Sequence, residues 1–224
     1  MSLVGFFDIL GTRENVMNDR FSDTDMLEFV NAIGIAAEFT PHVRFAVFSD
    51  SLIVAAEPSE ICSLLRAVNW MYGNWFSEFV YVRGAVSCGD VRWVDHAVAD
   101  RIFRRLANLT YARIYGKGLV SAYQLEQQSG PGAVCFLTEA AAKLFREKEP
   151  ASVLDGHARM LCWATERQAK IADGYASSHL ERTQKDSAEW RHAVATKHYW
   201  TSVLAHGKFL PNEYSISDGV PSGV

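Results

Sequence analysis

The chain of 224 residues has no run of 18 apolar residues, no paired-cysteine spacing, no glycine-rich nucleotide loop and only six prolines. Without a long apolar run, no membrane-spanning helix is expected. The four cysteines, Cys62, Cys88, Cys135 and Cys162, are scattered without C-x-x-C spacing. Three of them sit in apolar runs, so free buried thiols in a reducing compartment are expected in place of disulfides or zinc. Gly116 and Gly118 follow a strand-like segment, but neither G-x-G-x-x-G nor a Walker lysine accompanies them. His42, His157, His179, His192 and His198 show no H-E-x-x-H or paired-ligand spacing. An excess of positive charge is also missing: 22 Lys+Arg stand against 26 Asp+Glu, a net charge of −4 and a pI near 6.0. A broad nucleic-acid-binding face is therefore not expected, and Arg101, Arg104 and Arg105 read as a solvated face before a face turned to a triphosphate or a phage-derived ligand. The opening MSLVGFFDIL has no basic region before its apolar stretch and meets Asp8 early. It does not read as a signal peptide, and a cytoplasmic location is expected.

What is present is a well-mixed globular composition, 49% hydrophobic and 12% aromatic, enough to build a sizeable core. Leu3 to Phe7 reads as a buried strand ending at Asp8, followed by a turn at DILGT, residues 8–12. Met26, Phe29, Val30, Ile33 and Ala37 recur at helical spacing, closed by Pro41. Residues 42–56, HVRFAVFSDSLIVAA, read as two strands joined by a tight turn at 48–51. Ile61, Leu64, Leu65, Val68, Tyr72, Trp75, Phe76 and Phe79 keep a 3.6-residue period and predict an amphipathic helix packed on a sheet. Strands are expected at 79–89, 111–115, 133–137 and near 159–163. Helices are expected around 102–106, from Gly116 to about Gln128, and over 139–147. Two more helices are expected between 165 and 205, with Trp190, Val194, Trp200, Val203 and Leu204 on one face. The tail from Asn212 is expected to be disordered. The element order predicts an α+β, ferredoxin-like βαββαβ core with added strands. Residues 1–164 form the expected main domain, 165–211 a helical C-terminal extension, and 212–224 the tail.

Two carboxylates stand out, because Asp8 and Asp50 each follow an apolar strand at a turn. In a βαββ arrangement the end of the first strand lies beside the turn of the central hairpin. Two carboxylates brought within roughly 5 Å would repel by about 3 kcal/mol at an effective dielectric of ~20. Keeping both charged calls for a cation, and hard oxygen ligands favour Mg²⁺ or Mn²⁺. The plainer alternative is a helix cap at Asp8 and an ordinary turn residue at Asp50.

Four segments carry a family resemblance, in order, over about residues 1–140. FFDILGT (6–12) resembles the F-x-D-I-x-G-F-T segment of the class III nucleotidyl cyclases. FAVFSDSLIVAA (45–56) resembles their K-x-x-G-D-x-x-x-A hairpin, with Asp50 on the second metal-binding aspartate. VRGAVSCGDV (82–91) is similar to their x-R-I-G-I-x-x-G-x-V strand, and ARIYGKGLVSAYQLEQ (112–127) to Y-D-I-W-G-D-T-V-N-x-A-x-R-M-E. The departures carry equal weight. Ala46 stands where adenylyl cyclases place a base-reading Lys, and Arg113 where they place the base-reading Asp. Val120 and Gln124 stand where the family has a ribose-orienting Asn and a transition-state Arg.

Arg113 donates only, which suits the two carbonyls of uracil and not an exocyclic amine. The short chain with FDILG and SDS most resembles the pyrimidine cyclases of bacterial Pycsar anti-phage systems. That resemblance implies a homodimer with sites at the interface, each using two Mn²⁺ or Mg²⁺ ions. The reaction would convert UTP, less readily CTP, to the 3′,5′-cyclic monophosphate and pyrophosphate. Asp8, Asp50 and the carbonyl of Ile9 would hold the metals. Phe7, Ile9, Leu10, Gly11, Thr12, Ala46, Arg113 and Lys117 would surround the nucleotide, with backbone amides of Leu10, Gly11 and Thr12 on the phosphates. Lys117 or Arg113 would replace the missing transition-state cation. Two other readings remain open: a non-catalytic nucleotide sensor, and an adenylyl cyclase with altered base contacts.

Overall fold

In the first strand, β1 (Ser2–Ile9), Leu3, Phe7 and Ile9 belong to the main core while Val4 and Phe6 belong to a second, smaller apolar cluster. That period-2 split gives the sheet two covered faces of unequal weight. The computed structural model describes residues 1–93, 114–156 and 158–214. A short helix α1 (Thr12–Met17) and a long helix α2 (Asp23–Phe39) follow β1. The α2 helix is started by a capping box between Ser22 and Asp25. The hairpin β2 (Arg44–Phe48) and β3 (Ser51–Ala56) turns at Ser49, whose φ is 53°, and Asp50. Helix α3 (Ile61–Ser77) then returns the chain to β4 (Val82–Gly89).

These four strands pair antiparallel in the order β2-β3-β1-β4, the ferredoxin-like core expected from the element order. Three further strands extend the sheet: β7 (Cys135–Leu137), parallel to β4, then β9 (Met160–Leu161) and β8 (Val153–Leu154). A separate ribbon pairs β5 (Arg92–Trp93) with β6 (Ile114–Tyr115). Helix α4 (Lys117–Gln128) covers one face of the sheet, and α5 (Glu139–Lys148) follows β7. The architecture is mixed α+β.

The aromatic period of α3 supplies the centre of the core. Trp75 stacks on Phe29 of α2 at 5.2 Å and donates its indole N–H to the Phe29 carbonyl at 3.1 Å. Phe79 leaves that period: the helix ends at Ser77, and Phe79 sits at φ 61°, exposed, with strand pairing beginning only at Val82. Phe7 lies between Gly5 and Gly84, where a Cβ on either glycine would enter its ring. The expected C-terminal helices are α6 (Glu166–Arg182) and α7 (Ala188–His206), each capped by a serine or threonine. They share the main core, since Trp200 of α7 meets Trp163 at 5.0 Å and Phe76 at 5.7 Å.

Several expectations need correction. The tail does not begin at Asn212: Tyr214 is buried, with its hydroxyl 3.4 Å from Cys62 Sγ. Of the cysteines, Cys135 and Cys162 are buried, Cys88 is half-buried and Cys62 is exposed. The strand expected at 133–137 starts at Cys135, because the amides of Gly132 and Ala133 are taken by His192 and Thr196 of α7. The expected helix at 102–106, Arg101, Arg104, Arg105, Arg113 and most of the strand at 111–115 lie outside the described residues, as do His157 and 215–224. No helix among the described residues is long and apolar enough to cross a membrane.

Candidate active site

Antiparallel pairing fixes the site. Asp8 stands opposite Ser51, the residue after Asp50, and the Ile9 amide donates to the Asp50 carbonyl at 3.1 Å. The structure thus brings Asp8 and Asp50 to one end of the two central strands. Asp8 shares its parity with Val4 and Phe6, so it lies on the sheet face covered by α4.

Burial pushes the Asp8 carboxyl up to about 6. The Ser51 hydroxyl, donating to Oδ1 at 2.6 Å, pulls it back, while the charges of Asp50 and then Glu126 push it up again. Arg83, directly opposite Asp8 on β4, favours the ionised form more weakly. That guanidinium is committed elsewhere: Nε donates to Oε1 of the fully buried Glu126 at 2.6 Å, and Nη1 donates to the Gly130 carbonyl at 3.1 Å. A partly desolvated carboxylate with an acidic neighbour and no cation of its own among the described residues fits a bound metal ion.

The donors are hard: two carboxylates and the Ile9 carbonyl, which already accepts from Thr12 Oγ1 at 3.1 Å and keeps a second lone pair. Among the described residues no group of three or more His, Cys, Asp or Glu side chains is placed to hold a metal ion by itself. The set therefore suits an ion that retains waters and substrate oxygens, as Mg²⁺ and Mn²⁺ do, better than one needing a full protein cage.

The other sequence-derived candidates divide. The Phe7 ring is wholly buried against Tyr72 and Trp75 on the opposite face, so it offers a nucleotide only its backbone. The Leu10 amide is not free for phosphate, because it donates to the Tyr81 carbonyl at 2.8 Å. Gly11, at φ 76°, and Thr12 begin α1 with no recorded partner for their amides among the described residues. Ala46 pairs with Ile53, two positions along the hairpin from the Phe48–Ser51 pair and on the α4 face.

Lys117 lies far from Asp8 in the same chain. It adjoins Gly118, whose carbonyl accepts from Ser87 Oγ, and Ser87 lies four β4 positions from Arg83, a span of roughly 13 Å at strand rise. Val120 and Gln124 are exposed on α4, Val120 by 54%. Two contributors were missed. Ser51 is visible in the SDS tripeptide, since hairpin pairing sets it against Asp8. Glu126 carries no local signal, because only the packing of α4 on β4 buries it beside Arg83.

No protein-family model matches the chain, and no curated protein matches it. Among solved structures, a bacterial light-regulated adenylyl cyclase aligns at 10% identity with a TM-score of 0.51, covering 91% of this chain and 57% of that one. The adenylyl cyclase CyaB from P. aeruginosa aligns at 10% identity and TM-score 0.47, covering 71% of this chain and 90% of that one. A guanylyl cyclase domain of the RhoGC fusion protein from Blastocladiella emersonii aligns at 13% identity and TM-score 0.49, covering 71% and 91%. The chain has the class III cyclase fold.

Proposed function

We propose that the chain is a nucleotidyl cyclase that converts a pyrimidine nucleoside triphosphate, UTP before CTP, to its 3′,5′-cyclic monophosphate and pyrophosphate. The observation that carries this reading is the placement of Asp8 and Asp50 on adjoining strand ends of a cyclase fold, with Asp8 short of a neutralising cation among the described residues. Asp8, Asp50 and the Ile9 carbonyl would hold Mg²⁺ or Mn²⁺, which when bound would supply the positive charge to acidify a ribose 3′-hydroxyl and neutralise a triphosphate. The chain's own groups set that site. Ser51 fixes the Asp8 carboxyl, the Ile9–Asp50 backbone bond holds the two turns together, and Thr12 orients the Ile9 carbonyl. The 3′-oxygen attacks the α-phosphorus in line and pyrophosphate leaves.

Arg113 donates to the uracil carbonyls, and Lys117 acts on the site of a second copy, since it lies too far from its own Asp8. The protein works as a homodimer with both sites at the interface. A role in cytoplasmic anti-phage signalling follows from the same resemblance. One observation favours a second reading. Val120 and Gln124 present no charge on the exposed face of α4, which suits a nucleotide sensor without turnover. Incubation with each of the four nucleoside triphosphates and Mn²⁺, with products identified by mass spectrometry, tests both readings. Cyclic UMP or CMP is expected. Cyclic AMP alone would overturn the pyrimidine assignment, and nucleotide binding without pyrophosphate release would establish the sensor.

A further inference from the structure

Residues 130–133 lie between α4 and β7, and no backbone–backbone hydrogen bond involves them among the described residues. Gly130 and Gly132 sit at φ 100° and 109°, and Pro131 has no amide N–H to give. Such a turn has little stiffness of its own. Side chains of α7 supply the hold instead. His192 Nδ1 accepts from the Gly132 amide at 3.0 Å, and Thr196 Oγ1 accepts from the Ala133 amide at 2.8 Å. Their i, i+4 spacing sets both acceptors on one helix face. We propose that His192 and Thr196 are positioning residues of the active site, clasping this turn so that its Gly130 carbonyl holds Arg83 in place opposite Asp8. The inference deepens the cyclase reading and rests on it for the effect on turnover.

Arg83 needs that hold. Its Nε and Nη2 both meet the same oxygen of Glu126, Oε1, while Oε2 accepts from Gln127. Two contacts on one oxygen make a pivot, not the two-oxygen fork that fixes a guanidinium plane. The Gly130 carbonyl, 3.1 Å from Nη1, is the contact that stops the group turning about that pivot. Arg83 stands directly opposite Asp8 in the register of β1 and β4. Where its charge rests therefore sets the surroundings of the metal-binding carboxylate.

The clasp is closely fitted. A Cβ on Gly132 would lie 3.1 Å from Ala195 Cβ and 3.3 Å from the Thr196 nitrogen. Thr196 is buried, and its hydroxyl proton goes to the His192 carbonyl at 2.8 Å, which leaves a lone pair for Ala133. Burial lowers the pKa of His192, and the charges of Arg83 and Arg191 lower it further, so the ring stays neutral and Nδ1 an acceptor. Helix α7 thus reaches the site through the turn, touching neither aspartate.

Nitrogen-15 NMR of the full, metal-free chain tests the link through the Arg83 Nε–H signal, assigned by its loss in Arg83→Lys. Thr196→Val keeps the side-chain shape and removes the acceptor. His192→Phe does the same at a half-buried position, where folding is less at risk. Both should move the Arg83 signal. Thr196→Ser and His192→Asn, which restore an acceptor, should return it toward the wild-type position. Val203→Ala, two turns along α7 in the core, controls for lost stability: it should lower the melting temperature and leave the signal in place. With the triphosphate that the wild type turns over, Thr196→Val should lower kcat about tenfold and change KM by no more than about twofold, as a misaligned site loses rate before binding. A signal unmoved by both clasp variants, moved equally by Val203→Ala, or not restored by the conservative pair would overturn the proposal, as would an unchanged kcat. The NMR arm needs no turnover. A wild type without turnover would count against the cyclase reading alone, whereas an unmoved signal counts against the clasp.

Discussion

The two faces of the central strand do different work. On one, Leu3, Phe7 and Ile9 meet an aromatic core of Phe29, Tyr72, Trp75 and Phe76 under two long helices. On the other, Val4 and Phe6 meet a small cluster under one helix, and the next residue of that parity is Asp8. The heavily covered face stabilises the fold, and the polar groups buried there, such as Asn69 and the Trp75 indole N–H, are committed to hydrogen bonds within it. The lightly covered face bears a desolvated carboxylate, an ion pair and exposed aromatic edges such as Tyr123, 5.2 Å from Phe6. Stability and chemistry are thus separated by one residue of strand register, because a shift of one position would exchange the two sets.

Substitutions should respect that division. The largest effect is expected at Asp50→Asn, which should lower turnover at least a thousandfold while leaving the melting temperature within a few degrees of wild type; parallel rate and calorimetric measurements check it. On the other face, Trp75→Ala should cost about 3–5 kcal/mol of stability by emptying the core, measured by urea unfolding. Glu126→Ala sits between the faces in character. It strips Arg83 of its buried partner and should cost about 3 kcal/mol as well as activity, whereas Glu126→Gln should recover part of both.

The smallest effect concerns Asp8 in metal-free protein. Its folded pKa of about 6 lies above the ordinary 3.8, so the native state holds the extra proton and stability falls as pH rises between those values. Asp8→Asn should therefore be more stable than wild type above pH 6, by about 1 kcal/mol once solvent screening is allowed for. An advantage that is absent above pH 6, or present only at pH 4, would break the electrostatic account.

The covered face was the more legible of the two. Seven apolar residues of α3 recur at helical period, and only the eighth residue of the pattern, Phe79, falls outside the helix, since the chain must reverse there into β4. The β2–β3 hairpin was legible because Ser49 and Asp50 are turn formers between β-branched flanks. Short elements were not. Helix α1 buries no residue, and β8 has only two, both buried, so neither is long enough to leave a periodic trace. In the site, Asp8 and Asp50 stood out because strand ends and turns expose polar residues after apolar runs. Glu126 did not, because its burial depends on which face of α4 meets β4. The blocked Leu10 amide was equally hidden, since its partner Tyr81 is distant in sequence.

The account rests on Asp8 and Asp50 forming one metal-dependent centre. Its most direct test is a Mn²⁺ titration, followed by electron paramagnetic resonance, of wild type and Asp50→Asn in the presence of a non-cyclisable UTP analogue. The account predicts saturable Mn²⁺ binding to the wild type, weakened at least tenfold in the variant. Equal binding by the two proteins would contradict it.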